Sequence, residues 1–337
     1  MKKRLYINGA AILLFAAIMA ACCSHEKKPV SVQTYMMGTI VEISLYEYEG
    51  DGRKLLDGCI ELCAEYEKVF SRTMEGSELY NLNAEMAKYG EGEVSDELRA
   101  LIESSLYYSR ISEGAFDITI GSVTDLWDFS SASGHIPEEA EIAEAIKLVS
   151  YERVIVDGSK VKAPVGTVFD LGAVAKGYIG DRLKEYLVEK GVAGAIINLG
   201  GNVLCIGGAG KGKPFTIGIK KPFEKNGEIS AFLKIKDLSA VTSGPYERYF
   251  VKNDRLYHHI LDTKTGYPVE TELQSVTIIS DKSELCDALS TACFAMGLEK
   301  AKKLIESFED VYAVFIDDEG MITLSEGFSE AIEINVS

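Results

Sequence analysis

Residues 284–296 read ELCDALSTACFAM, and Leu285, Cys286, Ala288, Leu289, Ala292, Cys293, Phe294 and Met296 leave a helix over this span almost no polar face. A helix that is apolar nearly all round has to be covered on every side, so the remaining elements must wrap it as a core helix closed by Gly297. Within it Asp287, Ser290 and Thr291 stand at i, i+3 and i+4 and share one side. A carboxylate buried there is costly unless it is paired or binds a metal. One carboxylate with two hydroxyls is hard, oxygen-only chemistry, which suits Mg²⁺ shared with a ligand's phosphates rather than Zn²⁺. An aspartate satisfied by a neighbouring arginine or helix N-terminus is the competing reading.

A second stretch, TVFDLGAVAKGYIGDR at residues 167–182, reads as the end of a buried strand at Val168 and Phe169, a turn at Gly172 and a helix over 175–190 stopped by Gly191. Such a junction gathers free backbone N–H groups and the positive end of a helix dipole, which suits a phosphate. Asp170 and Lys176 flank it. A carboxylate repels a phosphate unless a cation or a sugar hydroxyl stands between them, so the junction suggests a metal or a ribose; an ordinary strand-to-helix turn is the alternative.

Upstream, a strand over 30–46 is interrupted at Met36-Met37-Gly38-Thr39, where the glycine suggests close approach to something flat or large. An amphipathic helix over 52–70 places Cys59 and Cys63 on its apolar face, as buried positions rather than a metal pair. Ser95 caps a helix over 98–111 that ends at Gly114. In Gly114-Ala115-Phe116-Asp117 the aromatic and the carboxylate could address a heterocycle, or the loop could pack on the core. Pro137 opens a short helix to Val149, and Asp157-Gly158, Asn226-Gly227 and Asn253-Asp254 mark hairpins. Gly200-Gly201-Asn202 suits a tight turn or backbone contact with a ligand. Of His258 and His259, on opposite sides of a strand, His259 is the one expected to address a site. The glycine-rich run 207–213 is followed by Pro214 where a phosphate loop needs a serine or threonine, and no G-x-G-x-x-G follows a strand.

The formal net charge of -17 argues against a nucleic-acid partner, and a polyanionic ligand would need local donors or a divalent cation. Residues 1–21 read as a signal peptide: Lys2 to Arg4 are followed by an apolar run and by Met19-Ala20-Ala21-Cys22, which resembles a bacterial lipobox. On this reading Cys22 is lipidated, residues 22–29 form a tether, and 30–337 form one domain held outside the cytoplasm on the bacterial cell membrane. The five cysteines beyond Cys23 are an odd number and give no disulfide framework.

Taken in order, Met37-Gly38-Thr39, the segment from Phe70-Ser71-Arg72 to Asn83, Gly114 to Asp117, Asp170 to Gly177, Asn198 to Asn202, Ser243-Gly244, His259 to Asp262 with Thr265-Gly266, and Asp287 to Thr291 resemble the ApbE family, the FAD:protein FMN transferases. The resemblance covers roughly Tyr35 to Gly297. It implies FAD as substrate, with Met37, Thr73, Ala115, Phe116, Asp117, Asp170, Lys176 and Ile260 as binding positions. It also implies Mg²⁺ held by Asp287, Thr291 and the Ala173 carbonyl, and His259 as the base that activates a serine or threonine hydroxyl of an acceptor protein. The expected acceptors are flavin-bearing subunits of membrane redox complexes or other FMN-binding proteins. Thr73 stands where members often carry an aromatic residue; Thr263 replaces a frequent proline and is expected to change only loop stiffness. A Mg²⁺-dependent FAD pyrophosphatase and a non-catalytic flavin-binding lipoprotein are the rival readings. The expected architecture is a single large, two-lobed α+β domain with mixed, largely antiparallel sheets, packed helices, and FAD in the cleft between lobes.

Overall fold

A computed structural model describes residues 28–129, 134–210, 212–224 and 226–337. The leader, Cys22 and most of the 22–29 tether lie outside the described residues. An eight-stranded sheet runs Val30–Met36, Thr39–Glu47, Gly194–Leu199, Asn202–Gly207, Ser239–Ser243, Leu273–Ser280, Tyr312–Asp317 and Ile322–Leu324, so spatial order follows chain order. Every neighbouring pair is antiparallel, as the hairpin signals require.

Side-chain alternation along these strands builds hydrophobic cores on both faces, two side by side under the helices and one on the opposite face. Leu204 and Ile206 pack under the helices, while Cys205 between them faces the other way; Ala313 and Phe315 alternate in the same manner with Val314 and Ile316. The helices Gly52–Phe70, Asp96–Ile111, Ala175–Glu189 and Ser283–Met296 lie on one face. A three-stranded sheet of Glu333–Val336, Ile229–Ile235 and Phe215–Lys220 covers the other. The apolar helix Ser283–Met296 is covered as its composition demands. Ala288 and Ala292 enter one core and Leu289, Cys293 and Phe294 the next. Full burial of a side chain such as Leu289 is worth about 1.5–3 kcal/mol.

A smaller lobe is built on Val123, Trp127, Ile142, Phe250 and Leu261, with the Trp127 indole N–H donating to the Gly266 carbonyl at 3.1 Å. It carries the two-stranded hairpin Tyr249–Lys252 and Arg255–His258, whose turn residues Asn253 and Asp254 both have positive φ. The molecule is thus one α+β domain with largely antiparallel sheets and a satellite core.

Three positions are described further by the structure, and at two of them the expectation changes. Met37 and Gly38 (φ 52° and 70°) are the two central residues of a hairpin turn between Met36 and Thr39, and a Cβ on Gly38 would meet nothing within 4 Å. The positive φ gives the glycine a reason in backbone handedness, and no protein atom approaches it. Val168 and Phe169 form no strand: one parallel bridge joins Val168 to Ile120, and the side chain of Asn83 takes the place of a ladder. The loop threonine Thr263 does more than set stiffness, since its hydroxyl donates to the Gly114 carbonyl at 2.6 Å, a bond proline could not make.

Candidate active site

Helices Ala175–Glu189 and Ser283–Met296 cross at their N-terminal halves, and small residues make the crossing close. A Cβ on Gly177 would lie 2.4 Å from the Ser283 carbonyl oxygen and 2.6 Å from the Glu284 Cα. Each helix caps the other. Asp181 accepts the Ser283 and Glu284 N–H groups at 2.9 Å each, and Asp287 Oδ2 accepts the Gly177 N–H at 2.9 Å. Burial pushes the Asp181 carboxyl up to about 6, against the two bonds that favour its ionised form.

The diversion of the Gly177 N–H has a second effect. In a regular helix that group would bond to the Ala173 carbonyl, whereas Ala175 and Tyr178 on either side make their bonds to Leu171 and Val174. Among the described residues no donor reaches the Ala173 carbonyl. The contact that seats the Asp287 carboxylate thereby frees a backbone oxygen two residues before the helix begins.

Asp287 is 4% exposed, with Lys176 Nζ 3.6 Å from its Oδ2 and no hydrogen bond to Oδ1 among the described residues. The competing reading of this aspartate holds for one oxygen, which a helix N-terminus satisfies. Lys176 also donates to the Gly172 carbonyl at 2.9 Å. Asp170 Oδ1 accepts the Gly172 N–H at 2.9 Å, and its Oδ2 lies 3.4 Å from Arg72 Nε. Arg72 reaches Asp125 as well, at 2.6 Å. Asn83 holds Phe169 by both backbone groups, accepting its N–H at 2.8 Å and donating to its carbonyl at 2.9 Å.

Thr291 stands one turn along the same helix from Asp287 and its hydroxyl meets Ser243 at 3.1 Å, at the sheet end that also bears the Met37 and Gly200-Gly201 turns. No group of three or more His, Cys, Asp or Glu side chains suited to a metal occurs among the described residues. One carboxylate, one hydroxyl and one carbonyl fit Mg²⁺ that completes its shell with water and ligand phosphate, and do not fit an all-protein cage.

His259 comes from the small lobe. Its backbone N–H and its ring Nδ1 both donate to the Arg248 carbonyl, at 3.2 and 3.3 Å. A proton on Nδ1 leaves Nε2 with its lone pair. Burial, the Arg248 guanidinium, His258 and Lys176 hold this ring well below the usual histidine range, at about 3. It is neutral at working pH. His258, 5% exposed, is a core residue that donates to Val269 and stands edge-on to Phe294.

The side chains of Phe116 and Asp117 turn inward, as the core-packing alternative for this loop has it. Phe116 packs edge-on to Tyr108, and the Asp117 carboxylate, its pKa raised by burial, accepts from the N–H and hydroxyl of Thr119 and from the Tyr151 N–H. Ala115 lines a cavity of about 170 Å³ with Thr263, Lys264, Ala295 and Met296, roughly one helical turn beyond Thr291. Ile260 is buried in the second core, Thr73 is exposed, and half-buried Met37 is held through its N–H by Glu67 at 2.9 Å. Roles for Arg72, Asn83, Gly177, Ser243 and Arg248 were not drawn from the sequence; the first four lie within the ordered motifs, which was the available signal.

The sequence profile of the ApbE family matches residues 37–316. A Klebsiella pneumoniae protein named FAD:protein FMN transferase is 33% identical over 303 residues, covering 89% of this chain and 93% of that protein. A Treponema pallidum protein of the same name is 30% identical over 317 residues, covering 89% and 87%. The crystal structure of the ApbE protein of Thermotoga maritima superposes with a TM-score of 0.82 at 31% identity, over 90% of this chain and 99% of that one. With its motifs in order and its fold shared over nearly the whole length of these relatives, the chain belongs to the ApbE family.

Proposed function

We propose that this chain transfers FMN from FAD to a serine or threonine hydroxyl of an extracytoplasmic acceptor protein, releasing AMP, with Mg²⁺ bound at Asp287, Thr291 and the Ala173 carbonyl. The single observation that carries the site assignment is the Ala173 carbonyl released by the Gly177–Asp287 bond. When bound, Mg²⁺ would neutralise charge on the FAD diphosphate and polarise the phosphorus under attack.

The chain's own groups do the rest. Lys176, held between Gly172 and Asp287, supplies a fixed positive charge beside the diphosphate. The acceptor oxygen forms a bond to the FMN-side phosphorus while the phosphorus–oxygen bond to AMP breaks, and the electron pair leaves on AMP. The hydroxyl proton passes to His259 Nε2, the lone-pair nitrogen of the neutral tautomer that the Arg248 carbonyl selects. The cavity beside Ala115, Ala295 and Met296 offers room for one ring of the dinucleotide. Lipidation at Cys22 and a 22–29 tether belong to the same proposal, and would hold the enzyme on the outer side of the membrane near membrane-bound acceptors.

The test is intact-mass analysis of a flavin-acceptor domain incubated with protein from Ser24 onward, FAD and Mg²⁺. The expected result is a gain of one FMN less water, abolished by a metal chelator. Free FMN and AMP with an unmodified acceptor would overturn transfer in favour of hydrolysis, and intact FAD would overturn catalysis on that acceptor.

A further inference from the structure

Three hydroxyls and one carbonyl form a chain beside the proposed cation site. Ser290 Oγ lies 2.9 Å from the Asp287 carbonyl oxygen, Ser243 Oγ lies 2.8 Å from Ser290 Oγ, and Thr291 Oγ1 lies 3.1 Å from Ser243 Oγ. Each hydroxyl owns a single proton, so the directions can be counted. A carbonyl only accepts, so Ser290 spends its proton on Asp287. Ser290 must then accept from Ser243, and Ser243, its own proton spent, must accept from Thr291. The chain runs one way, from Thr291 through Ser243 and Ser290 to the helix backbone.

The count fixes how Thr291 faces the cation site. A hydroxyl ligates a cation through a lone pair, with its proton turned away. With its proton directed to Ser243, Thr291 keeps both lone pairs for other partners. Without an acceptor at position 243, the proton is free to rotate into the direction a cation would occupy.

Ser243 is well placed to hold that orientation. It is the last residue of strand Ser239–Ser243, paired in register with Val276. The preceding residue, Thr242, shares a hydroxyl hydrogen bond of 2.8 Å with Thr277 on the partner strand. The following residue, Gly244, sits where a Cβ would lie 2.5 Å from the Tyr246 ring and 2.8 Å from the Gln274 carbonyl oxygen. Ser290 is fully buried, so water does not take its place in the chain.

We infer that Ser243 is a positioning residue for metal binding: by accepting the Thr291 proton and donating to Ser290, it presets the Thr291 lone pairs for a divalent cation. The inference rests on the Mg²⁺ site proposed above. Partners that orient metal ligands in this way typically change metal affinity by about 10–100-fold when removed.

The test is Mn²⁺ binding, followed by electron paramagnetic resonance in the presence of FAD and without acceptor, for wild type, Ser243→Ala and Ser243→Thr. Ser243→Ala is expected to weaken Mn²⁺ binding about 10-fold with an unchanged thermal melting point, and Ser243→Thr, which keeps the hydroxyl, to restore it. Wild-type affinity in Ser243→Ala would overturn the inference, as would Ser243→Thr binding as weakly as the alanine variant. Failure of the wild type itself to bind Mn²⁺ with FAD would instead remove the metal site beneath it. The two failures are therefore distinguishable.

Discussion

His259 shows how burial first, then two cations and one carbonyl, set the state of a residue. The Arg248 carbonyl takes the ring's Nδ1 proton, and Arg248 and Lys176 oppose a second proton on Nε2. The expected consequence is a transfer rate without an inflection near pH 6.5 between pH 8 and 5.5. Arg248→Gln, which keeps the orienting carbonyl and removes the guanidinium, should move the acidic limb of the pH–rate profile upward; an unshifted limb would dismiss the electrostatic account. Folding carries the opposite face of the same shift. Between the depressed native value and the ordinary value near 6.5, the unfolded chain binds a proton that the native ring refuses, so this residue lowers stability as pH falls through that window. His259→Ala should retain FAD binding by fluorescence and lose acceptor modification. Strand alternation in the sequence says that only one of His258 and His259 can address a given site, and the structure buries His258. The Arg248 carbonyl was not legible, because nothing local in the sequence records which carbonyl a ring nitrogen will meet across a hairpin.

At the level of elements, the two crossed helices are the unit that matters. Asp181 and Asp287 cap one another's helices, and Gly177 permits the approach. Gly177→Ala would force a methyl into the Ser283 backbone, so a loss of about 1–3 kcal/mol in urea denaturation is expected from overpacking. It should also weaken FAD and Mn²⁺ binding, because separating the helices returns the Gly177 N–H toward Ala173. A variant with wild-type stability and binding would show that the crossing tolerates a side chain. The helices themselves could be read from apolar spacing, Ser95 and the closing glycines, and the reading over 52–70 matches the helix Gly52–Phe70. What spacing could not reveal is the exchange of caps across 102 and 110 residues of chain. The same limit explains why 168–169 reads as a strand: buried apolar residues signal extension, and only the folded chain shows Asn83, 86 residues away, satisfying the backbone.

On the scale of the whole molecule, the groups proposed for the site collect where separate cores meet. Asp287, Thr291 and Lys176 come from helices on the main sheet, Ser243 and Met37 from one end of that sheet, and His259 from the small lobe. A largely antiparallel fold was foreseeable from its turn residues. The placement of the satellite core against the main one was not, since its aromatic members Trp127, Phe250, Tyr257 and Tyr267 are scattered along the chain. The edge strand Val30–Met36 begins where the proposed tether ends and finishes at the hairpin turn beside the site. Its seven residues span about 20 Å, and the eight of the tether reach about 28 Å at full extension. If Cys22 carries the lipid, the strand acts as a fixed arm on a short leash, and the chemistry is confined to a layer about 50 Å deep above the bilayer. An acceptor hydroxyl raised on a stalk beyond that height should escape modification by the anchored enzyme, and become a substrate once a flexible linker is inserted after Ser24.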